Sequence, residues 1–286
     1  MYFWSKEEVK YLENNFSTLS DIDISKKLKK SPNAIRIKAS RLNIRSASSV
    51  YRFNLQLSKI EEQVILGGLL GDLHCRITHT SKNARLEGGH TLKQKEYLMY
   101  KVNLLQKLRW YIRLGKKNDA YFYQSRAYPC LNQYHDIFYS FGNKRVTKPL
   151  LDRLDTFGLF IWYMDDGSYS KRDNISSLYT NCFSYEEQKV IKEWFEEKWG
   201  ISPHIYNAKN PKKYPGKIWY YLYFPVRETR KLHDLFINFS IPECMKYKFS
   251  FYNQDHTYQQ SHLWGSNAHN EGDVEKRTER NGGLVT

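Results

Sequence analysis

Two apolar runs, each ending in an aspartate, constrain this chain more than any other feature of it. The clearer one reads Leu159-Phe160-Ile161-Trp162-Tyr163-Met164-Asp165-Asp166-Gly167-Ser168. Asp155 and Thr156 upstream can cap a helix, and glycine, here Gly167, is common just past a helix end. The pattern predicts a buried helix that delivers Asp166 at its C-terminus. The helix dipole is negative there and Asp165 adds a like charge, so the site calls for a positive partner, most simply a divalent cation. The other run extends from Ser58 to His74 and ends in Leu69-Leu70-Gly71-Asp72. Ser58 and Glu61 have the spacing of a capping box. Gly67, Gly68 and Gly71 lie close together, and each weakens a helix interior by about 1 kcal/mol, which predicts another backbone packed against them. The run is too short to span a bilayer. A helix pair that brings Asp72 and Asp166 together is the expected arrangement.

Around these helices the chain divides into five segments. Residues 1–46 read as a small tri-helical module. Ser5 with Glu8 makes a capping box, a short helix fits Ile22 to Leu28, and a third begins at Ser31 and Pro32. In that third helix Ile35, Ala39 and Leu42 face inward, leaving Asn33, Arg36, Lys38, Ser40 and Arg41 outside. Residues 47–57 are a serine-containing linker. Residues 58–150 and 151–252 read as two halves with one plan. In the first, extended stretches at Leu73–Thr80 and Arg85–Thr91 precede an amphipathic helix from Lys93 to Trp110, a strand at Tyr121–Arg126 and a helix at Tyr134–Phe141. The second has strands at Ser168–Arg172 and Ile175–Cys182, a helix opened by Ser184 and Glu187, and strands at Ile201–Ala208 and Lys217–Phe224. A helix at Arg227–Phe239 closes it. Residues 253–286 lose all periodicity and read as a disordered tail.

Charge points to a polyanionic partner. The net charge is +15, and residues 51–250 hold 32 Lys and Arg against 20 Asp and Glu. The positive excess therefore sits on the two halves, as nucleic-acid binding requires. Sheet faces carrying Arg76, Arg85, Arg126, Lys171 and Arg172 are candidates to lie against DNA. The four cysteines (Cys75, Cys130, Cys182, Cys244) have neither zinc nor redox spacing and read as reduced. No signal peptide and no membrane-length apolar run is present, so an intracellular, non-secreted protein is expected. His74 and His90 are assigned to solvent or packing.

Both aspartate-ending runs resemble the signature of LAGLIDADG homing endonucleases, and Trp162-Tyr163-Met164-Asp165-Asp166-Gly167 is similar to the single-chain, two-motif, intron-encoded members. Matching the last signature aspartate to Asp72 and Asp166 puts the first glycine at Gly67, with Ile161 at that place in the second copy. Leu73 replaces the final glycine of the first. The resemblance implies an α+β fold, a duplicated α-β-β-α-β-β-α saddle with pseudo-two-fold symmetry. It also implies a monomer that makes a staggered double-strand break in a long DNA target. Two or three Mg²⁺ ions are implied as cofactor, held by Asp72 and Asp166 with Gly71 and Asp165. The segment Ile241 to Lys248 is similar to the one that sends a lysine into the active site, with Lys248 at the matching position. The first half's counterpart spans Asn143 to Pro149, where Lys144 or Arg145 fills the role. Residues 1–46 resemble the Myb/homeodomain-like fold, whose third helix enters the major groove; that implies DNA contacts from Asn33, Arg36, Lys38 and Arg41. The same fold also serves as an RNA maturase that binds intron RNA, or as a catalytically inactive DNA-binding regulator. The Tyr163-Met164-Asp165-Asp166 tetrapeptide also matches reverse transcriptases, but there it lies on a β-hairpin.

Overall fold

A computed structural model describes residues 4–46, 55–79, 81–117, 119–140, 142–209 and 218–252. Most of the predicted linker and the whole predicted tail lie outside the described residues. So do Thr80, Phe141 and Lys217, which terminate three of the predicted elements.

The first three helices are α1 (Lys6–Asn15), α2 (Asp21–Leu28) and α3 (Pro32–Arg41). Ser5, Ser20 and Ser31 cap them, each accepting a backbone N–H from the first turn. Leu12, Phe16, Ile24, Ile35 and Ala39 form a small core of their own, with Trp4 and Leu42 packed against it.

The signature helices follow as α4 (Lys59–Leu70) and, in the second half, α8 (Thr156–Asp166). Ser58 and Glu61 make the predicted capping box on α4, and Asp155 caps α8 by accepting from the N–H groups of Phe157 and Gly158. The two helices pack so closely that a Cβ added to Gly67 would lie 2.1 Å from the carbonyl oxygen of Gly158. The close approach expected from the glycines of the first run is therefore made at Gly67, and its partner is Gly158. That glycine lies nearly a turn before Ile161, the position the signature match assigned. Gln63 joins the pair at its other end, donating to the Arg153 carbonyl at 2.9 Å and accepting from the Asp155 N–H at 2.8 Å. Gly167 follows α8 in extended conformation, with φ −76°. Its need for glycine is steric, since a Cβ there would meet the Tyr163 carbonyl oxygen at 2.4 Å.

Each half carries a four-stranded antiparallel sheet. The first contains β1 (His74–Ile77), β2 (Ala84–Thr91), β3 (Tyr111–Leu114) and β4 (Ala120–Gln124), ordered β1-β2-β4-β3. The second contains β5 (Gly167–Ser170), β6 (Ile175–Leu178), β7 (His204–Lys209) and β8 (Ile218–Phe224), ordered β5-β6-β8-β7. The identical strand order is the internal duplication, expressed as topology. Helix α5 (Lys95–Leu104) backs the first sheet and α9 (Tyr185–Trp199) the second. Helices α6 (Asn132–Tyr139), α7 (Lys148–Asp152) and α10 (Val226–Asp234) complete the described helices.

Several predicted boundaries shift for local reasons. The helix expected over Lys93–Trp110 ends at Leu104, because a 3₁₀ turn at Gln106–Leu108 leads into Arg109 with φ 50°. The released residues make that turn, and β3, which hydrophobic periodicity did not single out, follows directly at Tyr111. The second-half strands are shorter than predicted, and the closing helix stops at Asp234 rather than Phe239. Among the described residues no helix is long and apolar enough to cross a membrane.

Candidate active site

The site forms where α4 and α8 end side by side. Asp72 leaves α4 just before β1, and Asp166 is the last residue of α8. Both carboxyls are pushed upward from their ordinary values. Asp72 rises to about 6 through burial and then the charge of Asp165. Asp166 rises to about 8 through burial, then the charges of Asp165 and Asp72. Three acidic side chains thus crowd one place, where like charges oppose each other's ionisation.

Two lysines close over the helix ends. Lys144 Nζ donates to the Gly71 carbonyl at 2.9 Å and to that of Leu73 at 3.3 Å. Lys248 Nζ donates to the carbonyls of Met164 at 2.7 Å and Asp165 at 3.0 Å. Each lysine therefore satisfies C-terminal carbonyls of its own half's signature helix, where a cation complements the dipole. Burial holds both ammonium groups below the ordinary lysine value. The short segment Glu243–Lys248, a 3₁₀ helix, carries Lys248 inward. Arg145, the alternative to Lys144, is not brought to the site. Its Nε donates at 2.9 Å to Oε1 of Glu187, the capping-box carboxylate of α9.

Asp165 departs from its expected place. The resemblance put it among the metal ligands, yet its side chain is wholly enclosed. Oδ1 accepts from Lys101 Nζ at 2.7 Å and from the Tyr97 hydroxyl at 2.8 Å. Oδ2 accepts from the backbone N–H of Asp72 at 3.2 Å. Both oxygens are engaged by protein donors, so what it contributes is position: it fixes the backbone of Asp72 from the other half. The carbonyls of Gly71 and Asp165, the other candidate ligand atoms, each already accept from a lysine.

Two residues at this centre escaped the sequence reading. Lys101 lies on α5 three residues after buried Leu98, and a lysine on the apolar stripe of a core-facing helix was the available signal. His90 was assigned to packing, and it is indeed buried. Even so, its Nδ1 lies 3.8 Å from Asp72 Oδ2. Burial, then the charge of Lys101, pushes the imidazole down to about 3, so it is neutral near pH 7. Ligand atoms of Asp72, His90 and Asp165 all lie within 4.8 Å of one another. His74 is exposed on β1.

The candidate DNA-contacting residues fall in three places. Arg76 and Arg85 turn outward from the first sheet, each near Glu87. Arg126 is exposed just past β4, and Lys171 and Arg172 are exposed in the β5–β6 turn, where Arg172 pairs with Asp173 at 3.0 Å. On α3, Asn33, Arg36 and Arg41 are exposed and Lys38 is half-buried; Arg36 pairs with Asp21. All four cysteines are free thiols.

Comparison with known proteins agrees with this architecture. A probable intron-encoded DNA endonuclease of Mycosarcoma maydis is 28% identical over 134 residues, covering 45% of this chain and 92% of that protein. The RecA protein of Mycobacterium gastri is 26% identical over 209 residues, covering 67% of this chain, which spans 47% of that protein's length. The solved structure of the homing endonuclease I-WcaI bound to its DNA recognition sequence superposes with a TM-score of 0.58 at 22% identity. That match covers 69% of this chain and 89% of the other, and it shows a shared fold. A model of the LAGLIDADG DNA endonuclease family matches residues 62–232, more than half the chain, and this protein belongs to that family.

Proposed function

We propose that this protein is a site-specific homing endonuclease that makes a double-strand break in a long duplex target, with Mg²⁺ as its working cation and Asp72 and Asp166 as its metal-holding carboxylates. One observation carries the reading: two carboxylates at the ends of paired helices, both held above their ordinary values by burial and like charge. Such a site is strained without a cation and relieved by one. The donor set fits a hard, oxygen-preferring ion, since Asp72 and Asp166 offer carboxylate oxygens. When bound, the cation would supply an activated water and charge neutralisation at the phosphodiester.

The chain's own residues do the rest. Lys144 and Lys248 present ammonium groups beside the carboxylates, where they stabilise negative charge developing on a phosphate. Asp165, held by Lys101 and Tyr97, positions Asp72. One chain supplies both halves of the site, so the active species is a monomer on one asymmetric target. Residues 1–46, in the manner of a Myb or homeodomain module, add affinity through the exposed face of α3.

The test is Asp166→Asn, which keeps size and hydrogen-bonding capacity and removes a charge. Binding to the target in Ca²⁺ should persist while double-strand cleavage in Mg²⁺ disappears, and Asp72→Asn should behave alike apart from residual nicking. Full cleavage by a folded Asp166→Asn variant would overturn the assignment.

A further inference from the structure

The two sheets differ sharply in the chemistry of the face that alternates away from the core. On the first, Arg76, Arg85, Glu87 and Arg113 turn outward. Arg76 and Arg85 are direct cross-strand partners, an arrangement in which like charges repel. Glu87, next but one to Arg85 on β2, relieves part of that repulsion. Its carboxylate lies 3.1 Å from Arg85 Nη2 and 3.6 Å from Arg76 Nη1. On the second sheet, Ser168 stands opposite Ser177, Ser177 opposite Tyr223, and Tyr206 opposite Tyr221. Tyr206 and Tyr223 meet edge to face, with ring centroids 4.7 Å apart. Among the side chains of β5 to β8 that the structure describes, which do not include Lys209 at the end of β7, none is Lys, Arg, Asp or Glu.

We infer that the two halves read DNA unequally: the Arg76–Glu87–Arg85 triad specifies G·C base pairs in one half of the target, whereas the serine and tyrosine face of the second sheet holds the other half with little base discrimination. This rests on the endonuclease reading above, in which the sheets lie in the major groove. Guanine offers two acceptors there, N7 and O6, matched by the planar fork of arginine, while cytosine offers its N4 donor, matched by a carboxylate. A triad with two forks and one carboxylate therefore complements G·C pairs and mismatches A·T pairs. Holding the forks through Glu87 before DNA arrives reduces the ordering cost of binding. A tyrosine or serine hydroxyl donates or accepts as required, so it fits any base edge, and a tyrosine ring tolerates the thymine methyl.

The experiment is a binding selection with the full-length protein in Ca²⁺, from duplexes randomised across the length of a homing site, followed by sequencing of the bound pool. The expected consensus has its strongest positions in one half, and these are G·C pairs. Arg85→Ala should weaken binding to that consensus by about 10-fold to 100-fold and erase the preference at its own base pair. Arg85→Lys, which keeps the charge but loses the fork, should retain binding to random duplex and lose the same preference. Tyr221→Phe should leave the G·C positions intact. Equal information in both halves would overturn the inference, as would G·C preferences that survive both Arg85→Ala and Arg76→Ala. A pool with no enriched sequence at all would instead sink the endonuclease reading, and this inference with it.

Discussion

Lys101→Met offers the sharpest test of how the two halves are joined. Lys101 and Asp165 are both enclosed, at 1% and 0% side-chain exposure, and the ammonium lies 2.7 Å from Oδ1. Burial works against the lysine charge and is the largest single influence, yet the charge and hydrogen bond of Asp165, with Tyr123 and Asp72, together hold the ammonium above its ordinary value. Burial likewise opposes the Asp165 charge most strongly, and Lys101, His90 and the Tyr97 hydroxyl together overcome it, so that carboxyl sits below its ordinary range. Methionine keeps the length and apolar stem of lysine but leaves a buried carboxylate without its counter-charge. Breaking one side of a buried pair costs about 3–5 kcal/mol, which for a protein of this size corresponds to a fall in Tm of roughly 10 °C. The double variant Lys101→Met with Asp165→Asn removes both charges and leaves an amide oxygen to accept from the Asp72 N–H and an amide N–H to donate to the Tyr97 hydroxyl. It should be more stable than Lys101→Met alone. The pseudo-symmetric counterpart of this pair shows that an uncharged solution exists: Gly71 stands where Asp165 does, and buried Ile191 lies as far past its helix's N-cap as Lys101 does past its own. The assay is thermal unfolding of the four proteins in the cycle, followed by circular dichroism. A neutral Lys101→Met, or a double variant whose loss equals the sum of the singles, would refute the coupling.

Other outcomes follow from the same geometry. Asp165→Asn alone removes a charge that pushes Asp72 and Asp166 upward, yet strands Lys101, so it should lower Tm by several degrees; unchanged Tm would contradict the buried pair. The metal-free protein should lose stability as pH rises. Asp166 ionises at about 8 when folded against 3.8 for an ordinary aspartyl carboxyl, so its contribution is full below about 4 and gone above about 8. Mg²⁺ should therefore raise Tm more at pH 8 than at pH 5, and equal shifts would argue against a cation at Asp166. Gly67→Ala would force a methyl group against the Gly158 carbonyl, costing about 1–3 kcal/mol and slowing cleavage as the helix ends separate. Wild-type stability there would show that the helices pair less closely than described. Removal of residues 1–46 should weaken DNA binding and flatten its salt dependence while cleavage at saturating protein survives; total loss of cleavage by a folded truncation would count against the module's proposed role.

How much of this was legible in the sequence varies residue by residue. The two helices, their caps and their terminal aspartates could be read because each depends on residues within one turn: Ser58 with Glu61, and Asp155 with the N–H groups that follow it. Lys248 was named through the family resemblance of its segment, and the duplication was read from the repeated order of elements. Local information also explains the misplaced helix end at Leu104, since nothing in the residues from Gln106 to Trp110 forbids a helix until tertiary contacts favour β3. Long-range pairing decided the rest. Whether Lys144 or Arg145 enters the site depends on Glu187, 42 residues beyond Arg145, taking the arginine. Asp165 and Asp166 are neighbours with the same side chain. One is buried against Lys101, 64 residues away, and the other is left toward the site only because the helix turns by about 100° between them. His90 reaches Asp72 through strand register, which a single-residue slip would reverse. The sequence by itself determined which groups this protein has to work with and the elements that carry them. Tertiary structure decided which carboxylates face one another, because that depends on two backbones meeting at Gly67 and Gly158, and contact between residues so far apart leaves no mark in either local pattern.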